Sequence, residues 1–274
     1  MGTCLISGRV AVHPGIQSSI PIFSRHLSSE GRSGCRYSLA MPRTARSIVG
    51  GLYYHVINRG NNRATVFSEP QEFDSFVDLM RRAQARHHME VAAVCLMPNH
   101  FHLLVRPSAA SDLAAWLHWM LTAHASRHHK KCKSSGRIWT GRFKAFPIQN
   151  DGHLFTVARY VERNPLRANL VARAEVWPWS SLHWRVVDHP PFVLAPLPIA
   201  LPANWRDVVN APQTVTELAN LRRCVNEGSP YGEFAWVQRT AVELGLAHTL
   251  RRPGRPKQVP SLVCSANSED ELGK

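Results

Sequence analysis

The chain has 274 residues, a net charge of +14 at neutral pH and 44% hydrophobic residues. That is enough apolar material for one substantial core, and the basic surplus makes a polyanion, above all nucleic acid, the expected partner. No apolar run approaches the 18 or more residues of a membrane span, and Cys4, Cys35, Cys95, Cys132, Cys224 and Cys264 are scattered without a C-x-x-C. A membrane protein, a disulfide framework and a zinc finger are therefore set aside, and a cytoplasmic location, at the nucleoid if the partner is DNA, is expected.

Residues 1–40 set Arg9, Arg25, Arg32 and Arg36 against Glu30 alone and have no apolar periodicity beyond Ile20–Phe23. They read as a disordered leader, with Met41 as a simpler translation start. From Gly50 the chain becomes regular. "GLYYHVINRG" alternates aromatic and β-branched residues, predicting a strand over about 52–58 followed by the basic loop "RGNNRA". Phe73, Phe76, Val77, Met80 and Ala83 then recur at helical spacing behind Pro70.

"EVAAVCLMPNHFHLLVRP" gives two apolar runs split by Pro98-Asn99, which predicts an antiparallel hairpin. On its second strand His100 and His102 share a face because the side-chain period is two. The pair is half a metal site, or simply two partly exposed strand histidines. A second helix begins at Ser111-Asp112 and carries Leu113, Trp116, Leu117, Met120 and Leu121 on one face. After the loop "KCKSSGRIWTGRFK" come a short strand near Phe143–Ile148 and a third helix from about Asp151, with Leu154, Val157, Ala158 and Val161 on a buried stripe.

The order β-α-β-β-α-β-α predicts an α+β, ferredoxin-like fold: an antiparallel sheet with helices on one face and the other face free for a site. Tyr160 and Asn164 lie four apart in "ARYVERNPLRANLV", so they share a side of the third helix, and Asn164 precedes Pro165, where that helix should end and its side chain project freely. A boundary aromatic and a helix-capping Asn would look the same. Past Trp184, residues 188–212 are too Pro-rich for regular structure and read as an extended connector. Residues 213–250 should form two short helices ending at Gly228 and Gly245, a small helical DNA-binding unit, and 251–274 a basic disordered tail whose "RRPGRPK" resembles an AT-hook core.

Taken in order and at this separation, "GLYYHVINRGNNR", "MPNHFHLLV", "WTGRFKAFPI" and "ARYVERNPLRANLV" resemble the single-tyrosine HUH transposases, in particular the REP-associated tyrosine transposases. The resemblance covers about 41–185, and a transposase domain is expected over 41–187. It implies a metal-dependent enzyme that cleaves and rejoins single-stranded or hairpin palindromic-repeat DNA through a 5′-phosphotyrosine. His100 and His102 would be metal ligands, Asn164 a third ligand, and Tyr160 the nucleophile. Many relatives have Gln where Asn164 stands; the shorter side chain still supplies a carbonyl oxygen.

Imidazoles suit Mn, Zn or Ni by ligand softness, whereas the resemblance implies Mg²⁺ or Mn²⁺. A phenol ordinarily titrates near 10, so Tyr160 needs a nearby metal or cation in order to attack. Arg59, Arg63, Arg137, Arg142 and Lys144 flank the predicted strand ends with Trp139 among them, a mix suited to phosphate contact and base stacking, and Arg255 and Lys257 would add minor-groove contacts. The chain would act as a monomer or homodimer. A metal-dependent nuclease using water, which needs the histidines but not Tyr160, and a non-catalytic DNA-binding protein, which needs only the charge, are the other readings.

Overall fold

The computed structural model describes residues 48–251. The expected leader over 1–40, the alternative start at Met41 and the tail beyond Arg251, with Arg255 and Lys257, lie outside the described residues.

Four strands form one antiparallel sheet: β1 (Tyr53–Arg59), β2 (Met89–Met97), β3 (His100–Pro107) and β4 (Lys144–Ile148), in the order β2-β3-β1-β4. The hairpin β2–β3 turns at Pro98-Asn99, and β1 pairs with β3 on one side and β4 on the other. This is the predicted α+β, ferredoxin-like arrangement. Helices α1 (Pro70–Gln84) and α2 (Asp112–Cys132) follow β1 and β3. At the start of α1, Pro70 fits a position whose N–H would be unpaired in any case, and the Glu72 carboxylate accepts from the Ser68 N–H at 2.6 Å.

Alternation along the strands divides the core in two. Tyr54, Val56, Phe101, Leu103 and Val105 face α1 and α2, where they meet Phe76, Met80, Trp116 and Met120. Tyr53, Ile57, Leu104, Phe146 and Ile148 face the opposite way. The sequence pattern leaves this second face bare, whereas the structure covers it. Helix α3 (Gly152–Glu162) lays Leu154, Val157, Ala158, Tyr160 and Val161 on it, because β4 delivers the chain to that side and the apolar stripe of α3 has nowhere else to be buried.

Arg163 keeps helical dihedrals, and the chain passes directly into a short α4 (Asn164–Arg167), then α5 (Ser181–Trp184), α6 (Trp205–Asn210), α7 (Val215–Glu227) and α8 (Phe234–Glu243). The Pro-rich 188–212 segment is thus not wholly irregular: Trp205 and Val209 of α6 are buried against the α3 side of the sheet. The two C-terminal helices form as expected, and Gly228 ends α7 in a left-handed conformation (φ +75°).

Both sheet edges are met in part by other segments of the chain. The Leu96 N–H donates to the Trp179 carbonyl at 2.9 Å along β2, and the Tyr231 N–H donates to the Pro147 carbonyl at 2.9 Å along β4. Both contacts occupy backbone groups that would otherwise template association with another chain.

Candidate active site

His55 of β1 and His100 and His102 of β3 project from the sheet face that carries α3. Register explains the grouping: Ile57 is opposite His102, Arg59 is opposite His100, and His55 is diagonal to His102. The rings of His100 and His102 stand edge to face with centroids 5.0 Å apart, and Tyr160 approaches from α3 with its ring 5.7 Å from His102 and 5.8 Å from His55. Tyr160 is buried. Strand and helix thus bring His100, His102 and Tyr160 to one place.

Each imidazole is oriented through one nitrogen. His100 Nδ1 lies 2.6 Å from Asn99 Oδ1, and His102 Nδ1 lies 2.9 Å from His55 Nε2. Asn99 is itself tied down, its Nδ2 donating to the Arg63 carbonyl at 3.2 Å. Burial pushes His100 down to about 4, helped by the positive charges of Arg59 and Arg167. Burial also holds His102 well below the usual imidazole range, with His100, His55, Arg167 and Arg59 adding to it. Both rings are therefore neutral at physiological pH, the form that binds metals. A donor set in which each ring is held at Nδ1 and keeps its Nε2 lone pair fits a divalent ion.

Asn164 does not project freely. It is buried; its Nδ2 donates to the Tyr160 carbonyl at 2.8 Å, and its Oδ1 accepts from Arg167. The helical backbone runs on through Arg163, so Asn164 faces the last turn of α3 instead of an open end. Among the described residues, no group of three His, Cys, Asp or Glu is placed to hold a metal, so a third protein ligand would have to be of another type.

Of the residues expected to meet DNA, Arg59, Arg63, Arg142 and Lys144 line one groove together with Asn61, Asn62 and Thr140. The groove exists because the "RGNN" and "WTG" loops are stitched together: the Asn61 N–H donates to the Ile138 carbonyl at 2.8 Å and the Thr140 N–H to the Arg59 carbonyl at 2.7 Å. Gly60 permits this packing, since a Cβ there would lie 2.2 Å from the Ala64 carbonyl oxygen. Arg137 is exposed on the far side of the loop, where it lines a different cleft against α2 with Arg142. Lys144 also holds the end of α7, its Nζ donating to the Val225 and Asn226 carbonyls at 3.3 Å each.

Trp139 corrects the expectation of a base-stacking platform. It is only 7% exposed, and its ring packs against Phe67, Phe76, Phe101 and His124. The alternation that points Thr140 outward points Trp139 into the α1–α2 core.

Nothing local in the sequence marks His55, Asn99 or Arg167 as site residues. His55 stands in a strand pattern that looks like ordinary core, and Asn99 was legible only as a turn residue. Arg167 lies past a proline where a helix was expected to have ended. The signal available for His55 was its spacing, since Tyr53, His55 and Ile57 share one strand face.

The antiparallel sheet thus turns an H-x-H pair toward a helix-borne tyrosine. Residues 48–164 match the family model described as transposase, IS200 like. The chain is also 24% identical over 144 residues to a Haemophilus influenzae protein provisionally named a REP-associated tyrosine transposase, a match covering 49% of this chain and 81% of that one. Among solved structures, it is similar to a REP-associated tyrosine transposase bound to a REP hairpin, with 18% identity and a TM-score of 0.44 over 59% of this chain and 95% of that one. A Deinococcus radiodurans protein provisionally described as a transposase matches at 20% identity and a TM-score of 0.32, over 44% of this chain and 96% of the other. No helix among the described residues is long and apolar enough to cross a membrane.

Proposed function

We propose that this chain cleaves and rejoins DNA bearing a hairpin and an adjacent single strand, with Tyr160 as the nucleophile; its Haemophilus influenzae relative carries the name of a REP-associated tyrosine transposase. The observation that carries the reading is the placement of the Tyr160 ring 5.7 Å from His102, over a pair of imidazoles held neutral by burial. Tyr160 attacks phosphorus; the Oη–P bond forms as the bond to the 3′-oxygen breaks, leaving a 5′-phosphotyrosine and a free 3′-hydroxyl. The phosphotyrosine keeps the energy of the broken bond, so rejoining to another 3′-hydroxyl needs no external energy source.

His100 and His102 would hold Mg²⁺ or Mn²⁺ through Nε2, with Asn164 as a third ligand through its oxygen. A bound divalent ion would supply Lewis-acid polarisation of the phosphate. Asn99 and His55 orient the two rings, and the groove lined by Arg59, Arg63, Arg142 and Lys144 receives the backbone of the strand.

The test is to incubate the purified full chain with hairpin-plus-tail oligonucleotides and Mn²⁺ and to look for a covalent protein–DNA species. Tyr160→Phe should bind DNA as before and form no adduct. Cleavage by Tyr160→Phe at the same position and rate would overturn the phosphotyrosine reading and favour a nuclease that uses water.

A further inference from the structure

Arg159, Arg163 and Arg167 recur every four residues along the continuous helical run of α3 and α4, on one side of it. Two of the three have a structural use. Arg159 Nη2 donates to the Ala211 and Pro212 carbonyls at 2.8 and 2.9 Å, and Arg163 Nη1 donates to the Val209 and Asn210 carbonyls, the first at 2.8 Å. Together they satisfy the carbonyls at the C-terminal end of α6, which no intrahelical donor reaches.

Arg167 is employed differently. Its guanidinium carbon sits 4.2 Å from the centroid of the Tyr160 ring, and its Nη2 donates to Asn164 Oδ1. It is half-buried, and among the described residues it forms no ion pair, whereas Arg81, Arg82, Arg106, Arg127, Arg159, Arg173 and Arg185 each have a carboxylate within 4.0 Å. It touches the π-cloud of Tyr160 and a neutral carboxamide, and its charge acts on the imidazoles of His55, His100 and His102, on the Cys95 thiol and on Arg163. Keeping a cation partly out of water without an anion is costly, and the cost is removed when an anion arrives. A planar guanidinium presents paired donors at the spacing of two phosphate oxygens.

We propose that Arg167 binds the scissile phosphate, gripping its non-bridging oxygens while its guanidinium plane stays against the Tyr160 ring. This assignment rests on Tyr160 being the nucleophile. In the transfer itself the Tyr160 Oη–P bond forms, the P–O3′ bond breaks, and the phenol proton ends on the departing 3′-oxygen. Arg167 neither gains nor loses a proton; it compensates the negative charge that spreads over the non-bridging oxygens.

The decisive experiment needs no turnover. In the Tyr160→Phe full chain, hairpin-plus-tail oligonucleotides carrying a single uncharged methylphosphonate are scanned along the tail by equilibrium binding. One position should weaken binding by about tenfold, the size expected of a charge-assisted contact. Adding Arg167→Gln, which removes the charge but can still donate to Asn164, should abolish the penalty at that position and leave the others unchanged. If the penalty persists in the double variant, or no position shows one, Arg167 is not the phosphate's partner.

With Tyr160 intact, Arg167→Gln should slow adduct formation about 100-fold or more while oligonucleotide affinity falls by no more than about tenfold, and Arg167→Lys should recover part of the rate. Adduct formation within about threefold of wild type, against the 100-fold expected for loss of such a contact, would overturn the assignment. Absence of any adduct in the wild-type protein would instead defeat the nucleophile reading, and the phosphonate scan would still decide what Arg167 touches.

Discussion

His55 Nε2 lies 2.9 Å from His102 Nδ1, with both rings buried and stacked at 29° between their planes. For His102 to offer Nε2 to a metal, its proton must stand on Nδ1 and be donated to His55. The proton of His55 is then on its Nδ1, which has no hydrogen-bond partner among the described residues. A metal-ligating histidine usually donates its second nitrogen to a carboxylate or carbonyl. Here a neutral imidazole, pushed down to about 3 by burial and then by Arg167, takes that place.

The first prediction follows from that contact. His55→Ala should lower Mn²⁺ affinity by about 10- to 100-fold, because the His102 ring loses both its orientation and its preferred tautomer. His55→Gln, whose oxygen can accept the same bond, should lose less. Calorimetric titration of Mn²⁺ into the full chain, with circular dichroism to verify folding, measures both. Equal affinity for wild type and His55→Ala would remove the role.

Glu162 supports the prediction for the helix that bears Tyr160. Fully buried at the end of α3, its carboxylate accepts from Ser181 Oγ at 2.5 Å, Arg185 Nε at 3.0 Å and Trp205 Nε1 at 2.6 Å, joining α3, α5 and α6. Glu162→Ala leaves Arg185 and two further donors without their acceptor, and should cost about 3–5 kcal/mol. Urea unfolding monitored by tryptophan fluorescence would show it as a lowered midpoint.

His124 sets an acid limit on stability. Burial, and then the neighbouring charge of His128, bring it down to about 4, against an ordinary value near 6.5. Between those values the unfolded chain holds a proton that the folded chain does not. The contribution of this site is therefore complete above about pH 6.5 and declines as pH falls toward 4. His124→Phe, which fits among Phe67, Phe76 and Trp139, should flatten the loss of stability with acid by up to one proton. Unfolding midpoints at pH 7.5, 6 and 5, a range of about this titration, would read it; an unchanged slope would show that other groups carry the effect.

Gly60→Ala tests the loop that shapes the basic groove. The new methyl would meet the Ala64 carbonyl oxygen and the Val66 side chain. Relief requires the "RGNN" loop to lift from the Pro98-Asn99 turn, at about 1–3 kcal/mol. Because Asn99 orients His100 and is itself held by the Arg63 carbonyl, DNA binding and Mn²⁺ affinity should fall together with thermal stability. A loss of stability with both affinities intact would separate the loop from the site.

The strands, the first three helices and the shared face of His100 and His102 were legible in the sequence because they depend on local periodicity: two residues per strand repeat, 3.6 per helical turn, and turn residues between them. The family resemblance rests on short motifs whose order and spacing can be read in a single chain. What could not be read locally was decided by tertiary packing. The apolar stripe of α3 required burial and took the sheet face that the sequence pattern had left open, which is what carries Tyr160 to within 5.7 Å of His102. The same contest for the interior drew Trp139 into the α1–α2 core and away from solvent. It also carried the helical run past Arg163, closing Asn164 against Tyr160 and bringing Arg167 over the tyrosine ring. Periodicity specifies which residues share a face; only the competition among faces for the limited buried surface specifies what each face meets.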